Sequence, residues 1–212
     1  MATFNNGPLG GFSGKLGPVV GTSWRGQNVL RTLPQSGTPH FSAAQLQQQQ
    51  RLKLVQEFLG DIKQLLSMTF GSTVSKHPPY NNAMSYHMKE ALVTSSDGLA
   101  IHYPKVLIAK GELCPIEQPV LQRIAPETLS LTWRDNSDQG LAYATDELMV
   151  VAYSPLYKHF ELVLHEAQRS DERCEMIMPV AFEGLEIEFW ATFYNGSKRI
   201  AATSRYLGRV VM

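Results

Sequence analysis

The chain has 212 residues and a mass of 23.7 kDa, enough for one large domain or two small ones with a sizeable core. Hydrophobic residues make up 43% and charged residues 18%, with 19 Lys+Arg against 19 Asp+Glu, which excludes a disordered chain and selects no partner by global charge. Two cysteines, Cys114 and Cys174, exclude a disulfide framework and a four-thiolate metal site.

The charge is unevenly spread. Residues 1–56 hold five basic side chains (Lys15, Arg25, Arg31, Arg51, Lys53) and no acidic one, whereas the remainder holds fourteen basic and nineteen acidic. Such a split points to an interaction arm. Residues 1–39 also contain eight glycines and four prolines. Within them Lys15–Gly21 and Ser23–Leu33 read as two short strands carrying Val19, Val20, Trp24, Val29 and Leu30. So short an arm or hairpin cannot bury Phe12, Trp24 and Leu33 by itself. Phe12, Lys15, Trp24, Arg25, Arg31 and Leu33 are therefore the candidate assembly interface.

Residues 40–98 read as helical. Ser42 with Gln45 fits a capping box, and Val55, Phe58, Leu59, Ile62, Leu65, Leu66 and Phe70 recur at the spacing of one helix face, ended by Gly71. After His77-Pro78-Pro79, Asn82 is expected to cap a second helix running to about Val93, with Met84, Met88, Ala91 and Leu92 inward. Phe58, Ile62 and Leu65 are expected to face the C-terminal domain or a second copy.

From residue 99 to 212 the period changes to that of strands. The candidates are Ala100–Ile108, Val120–Ile124, Thr128–Trp133, Leu148–Tyr153, Phe160–Glu166, Glu175–Met178, Leu185–Phe193 and Arg205–Val211. Turn signals separate them, Asn195-Gly196 being the strongest. Many short strands at regular spacing predict a sandwich or barrel. The strict alternation of Leu185–Phe189 predicts a strand with one wet face, and Trp133, Val150, Val151, Leu162, Leu164, Ile187, Phe189 and Leu207 are expected in one buried cluster.

Chemistry-bearing patterns are sparse. Gly14-Lys15 lacks the upstream Gly and following Ser or Thr of a phosphate loop, since Leu9 and Leu16 stand there. The six histidines show no metal-ligand spacing, no Gly-x-Ser-x-Gly elbow exists, and Cys114 has no local base. Asp135-Asn136-Ser137-Asp138, with Gly140 and Asp146-Glu147, offers oxygen ligands for calcium, but Asx-rich turns between strands need no metal. Both readings stand at this point. Arg25, Arg31, Arg51 and Lys53 with Trp24 and Phe41 suit weak, salt-sensitive nucleic-acid contacts at most. No catalytic residue and no cofactor are expected.

The Leu129-Ser130-Leu131-Thr132-Trp133 run and the alternating Gly184–Tyr194 strand with its hairpin into Ser204–Leu207 resemble the fibronectin type III kind of immunoglobulin-like sandwich. Over nearly its whole length the chain also resembles a family of Bacteroidota proteins. That likeness rests on Gly10-Gly11-Phe12-Ser13-Gly14-Lys15-Leu16-Gly17 with Val20-Gly21, on Trp24-Arg25-Gly26, Arg31-Thr32-Leu33-Pro34, Asn82-Ala83-Met84-Ser85-Tyr86, Trp133-Arg134-Asp135-Asn136-Ser137 and Tyr206-Leu207-Gly208. The resemblance implies a shared architecture and brings no activity or catalytic residue.

The expected fold is α+β: a glycine-rich β arm or hairpin, a helical middle segment and a C-terminal immunoglobulin-like β-sandwich. The expected function is that of a non-enzymatic, self-assembling structural protein, such as a phage-derived virion subunit of a capsid, tail or tube. Its partners are then copies of itself, in a ring or filament. The alternative is a module that binds a protein or ligand through sandwich loops, Asp135–Thr145 above all. With neither a membrane span nor a secretion signal in the sequence, the expected location is the cytoplasm, or a virion.

Overall fold

A computed structural model describes residues 3–4, 12–24, 26–33, 41–71, 77–95 and 98–212 of the chain, which divides into two units, residues 1–42 and 43–212. In the first unit, β1 (Thr3–Phe4), β2 (Phe12–Leu16), β3 (Val19–Trp24) and β4 (Gln27–Thr32) form an antiparallel meander in chain order. The expected strand Lys15–Gly21 breaks at Gly17-Pro18, a two-residue turn closing the Leu16–Val19 pair. Gly17 takes φ +58°, as the first central position of a type II′ turn demands, and proline's fixed φ suits the second. The expected strand Ser23–Leu33 is broken too, because Trp24 and Gln27 pair across a second tight turn.

The second unit opens with α1 (Ala43–Gly60), α2 (Lys63–Thr69) and α3 (Pro79–Glu90). The apolar stripe is continuous from Val55 to Phe70 and wholly buried, but the helix is not: it breaks at Asp61-Ile62, just after Gly60. α3 starts at Pro79, not at Asn82. Proline is pre-formed for the first helical position, and the Pro78 carbonyl accepts the N–H groups of Asn81 and Asn82. Ala83 and His87 take the deepest positions of α3, with Met84 and Met88 only partly buried. Leu92 and Val93, expected at the helix end, instead begin a small hairpin of β5 (Leu92–Ser95) and β6 (Gly98–Ile101). The expected strand Ala100–Ile108 stops at Ile101, where Pro104 initiates a single 3₁₀ turn, Tyr103–Lys105.

Two antiparallel sheets follow. One has the order β11 (Arg173–Ile177), β8 (Thr128–Arg134), β7 (Glu117–Ala125). The other runs β10 (His159–Gln168), β9 (Glu147–Ser154), β12 (Glu186–Asn195), with β12 also pairing β13 (Ile200–Ala201) and β14 (Arg205–Val211). With β7, β8 and β11 as the A, B and E strands, and β9, β10, β12 and β14 as C, C′, F and G, this is the strand order of a fibronectin type III sandwich.

The larger sheet is covered on both faces. Leu148, Val150 and Ala152 of β9 and Ile187, Phe189, Ala191 and Phe193 of β12 meet Leu129, Leu131, Trp133 and Met176 between the sheets. The alternate residues Met149, Val151, Tyr153, Trp190 and Tyr194 meet the helices. Phe58 of α1 anchors that contact, edge-on to Tyr153 at 4.9 Å and to Phe160 at 5.1 Å. The expected single cluster is therefore two. Trp133, Val150, Ile187, Phe189 and Leu207 belong to the inter-sheet core, Val151 and Leu164 to the helix-facing one, and Leu162 is exposed. The expected wet face of Leu185–Phe189 holds at Glu186, which is exposed, and is corrected at Glu188 for the same reason. Glu188 is fully buried, its carboxylate accepting from the Tyr206 hydroxyl and, at 2.8 Å, from Arg209 Nε. Burial, followed by the Glu188 hydrogen bond, pushes the Tyr206 phenol well above its usual range.

Trp133 sits in the inter-sheet core, edge-on to Phe193 and donating its indole N–H to the Arg169 carbonyl at 2.7 Å. Trp133→Ala should cost about 3–5 kcal/mol, measured as a lowered urea midpoint with unchanged m-value.

Candidate functional site

The candidate interface residues fall on the N-terminal sheet and divide between its faces. Directly paired residues share a face, so the register Lys15–Val20–Arg31 places two cations in one row. Trp24, Thr22 and Val29 follow on that same face by the period of two. The opposite face carries Leu16, Val19 and Thr32 in one row and Gly14, Gly21 and Leu30 in the next. With two glycines there, little covers the leucines: Leu16 is 51% and Leu30 63% exposed. Leu33 lies just past β4 and donates its N–H to the Pro18 carbonyl at 2.7 Å. The side chain of Phe12 and the whole of Arg25 lie outside the described residues. Leu16 and Leu30 are not among the interface candidates read from the sequence; the Gly17-Pro18 turn is the signal that puts them on one face.

A second candidate is the loop end of the sandwich, where the β8–β9 and β12–β13 connections and the β10–β11 link converge. Its centre is Arg169, fully buried. Its guanidinium donates to Asp146 Oδ2 from Nε (3.1 Å) and Nη2 (3.0 Å), to Asn136 Oδ1 (2.5 Å) and to the Cys114 carbonyl (3.0 Å). It also stacks 4.0 Å from the Phe193 ring centroid. Asp146, equally buried, accepts further from Asn195 Nδ2 (2.7 Å) and the Tyr143 N–H (2.9 Å). Above it Lys198 lies 3.7 Å from the Tyr143 ring centroid. Every polar group of the ion pair is thereby satisfied, as a charge in a low-dielectric core requires.

Of the groups around Asp135–Asp138 that could face calcium, Asp135, Asn136 and Asp146 have protein partners here. Asn136 and Asp146 are turned inward onto Arg169, and Asp135 closes an Asx turn on Ser137. Among the described residues no three His, Cys, Asp or Glu side chains gather as a metal would need.

A third candidate is a cleft of ≈ 550 Å³ lined by Phe70, Tyr86, Lys89, Glu90, Lys110 and Glu112, among others. Its cations and carboxylates alternate and are exposed, and Lys110 lies 5.3 Å from the Tyr86 ring centroid. Gly111 forms part of its wall, and no larger residue fits there, since a Cβ would stand 2.1 Å from the Ala201 carbonyl oxygen. Beneath the cleft, His87 is fully buried. Its Nδ1 lies 2.8 Å from the Ala83 carbonyl, and its Nε2 accepts the Leu107 N–H at 3.3 Å, so the ring is neutral with the proton on Nδ1. Burial lowers its pKa from 6.5 to about 4, the Ala83 hydrogen bond opposing. Among the described residues lining the cleft, none is arranged as a nucleophile with a base.

Two outcomes follow from these buried groups. Removing one partner of the Arg169–Asp146 pair, as in Arg169→Met, should cost about 3–5 kcal/mol, because a carboxylate stays buried alone. The double variant Arg169→Met/Asp146→Leu should recover part of that loss in chemical denaturation. His87 contributes fully above its unfolded pKa of 6.5, and its contribution is lost as the pH falls through about 4. The stability advantage of the wild type over His87→Gln should therefore shrink by about 3 kcal/mol between pH 7 and pH 4, read from urea midpoints at each pH.

Among curated proteins none matches the chain. Among solved structures it is similar to the fn3 domain of human collagen alpha-1(XX) chain, at 8% identity over 44% of this chain and 80% of that one, with a TM-score of 0.33. It is likewise similar to the fn3 domain of human contactin 1, at 7% identity over 48% of this chain and 76% of that one, with a TM-score of 0.33. Residues 11–208 match the model described as "Family of unknown function (DUF6266)". That span takes in most of the N-terminal sheet, the helices and nearly all of the sandwich, and the chain belongs to this family.

Proposed function

We propose that this is a non-enzymatic structural protein that assembles with copies of itself through its N-terminal sheet, in the specific form of a virion subunit of a capsid, tail or tube. The observation that carries the reading is the open apolar face of that sheet, with Leu16 and Leu30 exposed around Gly14 and Gly21. Among the described residues no side chain of this sheet belongs to a hydrophobic core cluster, and a small sheet gains stability by covering such a face. The second support is charge. Residues 1–42 hold Lys15, Arg25 and Arg31 and no carboxylate, whereas residues 43–212 hold an acidic excess. A head-to-tail contact between unlike surfaces repeats from copy to copy and builds rings or filaments.

The reading of the sandwich loops as a binding site for another protein or ligand has less in its favour. The inward groups of Asp135–Thr145 are committed to holding the loop, leaving Asp138–Leu141, Ala144 and Thr145 exposed. Among the described residues no helix is long and apolar enough to cross a membrane.

Deleting residues 1–42 tests the proposal. Both hydrophobic cores are built from Val55 onward, so the truncated chain should keep a cooperative melt while light scattering shows the full-length assembly reduced to monomer. A full-length chain that is monomeric, or an assembly unchanged by the deletion, would sink the reading.

A further inference from the structure

The two sides of the sandwich end differently. On one side β7 and β14 are stapled by Arg123, which donates to the carbonyls of Val211 (3.2 Å), Ala125 (3.3 Å) and Pro126 (2.9 Å). On the other side β10 and β11 end their sheets, and among the described residues no strand lies beyond either. An end strand presents a row of backbone donors and acceptors to whatever strand can reach it. A bulge with His165 at φ +63° interrupts β10 after Leu164, so its regular pairing edge is the six residues His159–Leu164.

This open side is anionic. β10 carries Glu161 and Glu166 and no Lys or Arg, and Asp171, Glu172 and Glu175 follow, with Arg173 paired to Glu175 at 2.5 Å. The convergence is felt by the buried Cys174, whose thiol is pushed up by burial first and then by Glu166, Asp171 and Glu175. Apolar groups stand among the carboxylates: Leu162 is 36% and Ile177 75% exposed.

Resting on the assembly reading above, we propose that the acceptor is this edge, β4 of one copy adding antiparallel to β10 of the next. β4 is the end strand of its own meander and is also six residues long. A single antiparallel register sets Leu30 opposite Leu162 and Arg31 opposite Glu161, because the apolar and charged residues are adjacent in both strands and in opposite order. Lys15, in the same row as Arg31, adds to the cationic side. Backbone hydrogen bonds then supply affinity, and the Leu–Leu and Arg–Glu cross-strand pairs supply register.

Charge reversal in two halves tests this in the full-length chain. One variant carries Lys15→Glu and Arg31→Glu, and the other Glu161→Lys and Glu166→Lys. Each alone should raise the concentration needed for half-assembly by roughly tenfold or more, since like charges then face each other. Mixed in equal amounts they should assemble again as an alternating series. A control reversal of Glu112 and Glu127, away from β10, should leave assembly as in the wild type. If Glu161→Lys/Glu166→Lys assembles normally, or the mixture fails to recover, the β10 edge is not the acceptor, even where deletion of residues 1–42 does abolish assembly. If that deletion changes nothing, or the full-length chain never assembles, the assembly reading falls and the acceptor with it.

Discussion

The central strands of the larger sheet, β9 and β12, are packed on both faces, and the rest of the second unit follows from that. A strand with side chains buried on both sides needs two apolar layers, one on each side. The three-strand sheet supplies one and α1, α2 and α3 supply the other. The helices are thus part of the sandwich's own core, and a fragment beginning at β7 would present Met149, Val151, Tyr153 and Trp190 to water. Three buried polar groups at this second interface find partners: Glu188 in Tyr206 and Arg209, the Trp190 indole in the Tyr103 carbonyl at 3.3 Å, and Thr69 in the Leu65 and Ile108 carbonyls.

What could be read in advance divides along physical lines. The strands from Val120 onward were legible because each is bounded by turn formers and enriched in β-branched and aromatic residues. Arg205–Val211 was found with its observed bounds. The helical stripe was legible through its spacing, although the chain bends at Asp61 without disturbing that spacing. The burial of Glu188 was not, because alternation shows that a residue points away from one core and says nothing of a second core behind it. The N-terminal strands depart from their sequence pattern because the β-propensity of Val19 and Val20 runs on across a Gly-Pro turn, whose backbone demand outweighs it. Arg169 went unnoticed for a different reason. Its partners lie 23 and 33 residues before it in sequence, and only the fold brings Asp146 and Asn136 to it.

The unequal treatment of the two sandwich sides has a plain thermodynamic reading. Exposed edges invite promiscuous pairing, and proteins blunt them with charge, bulges or coverings. Here one side is closed by Arg123, and the other is shortened by the bulge at His165 and ringed with carboxylates. Negative charge keeps identical edges from pairing with each other while leaving them receptive to a cationic strand. Under the assembly reading we propose, selectivity for an unlike partner over a like one is the property such a subunit needs.

The loops that meet at Arg169 also bear on how this sandwich can be varied. In immunoglobulin-like domains the corresponding end is where loop sequence and length are commonly exchanged, because the framework beneath is indifferent to them. Here the framework is not indifferent: the guanidinium draws on Asn136, Asp146 and the Cys114 carbonyl at once, and Asn195 and Lys198 tie the neighbouring turn to the same cluster. A graft that lengthened either turn would have to thread around a buried ion pair. Tolerance to insertion should instead sit at the opposite pole, near Val180 and Glu183, whose side chains are open to solvent on either side of the buried Phe182.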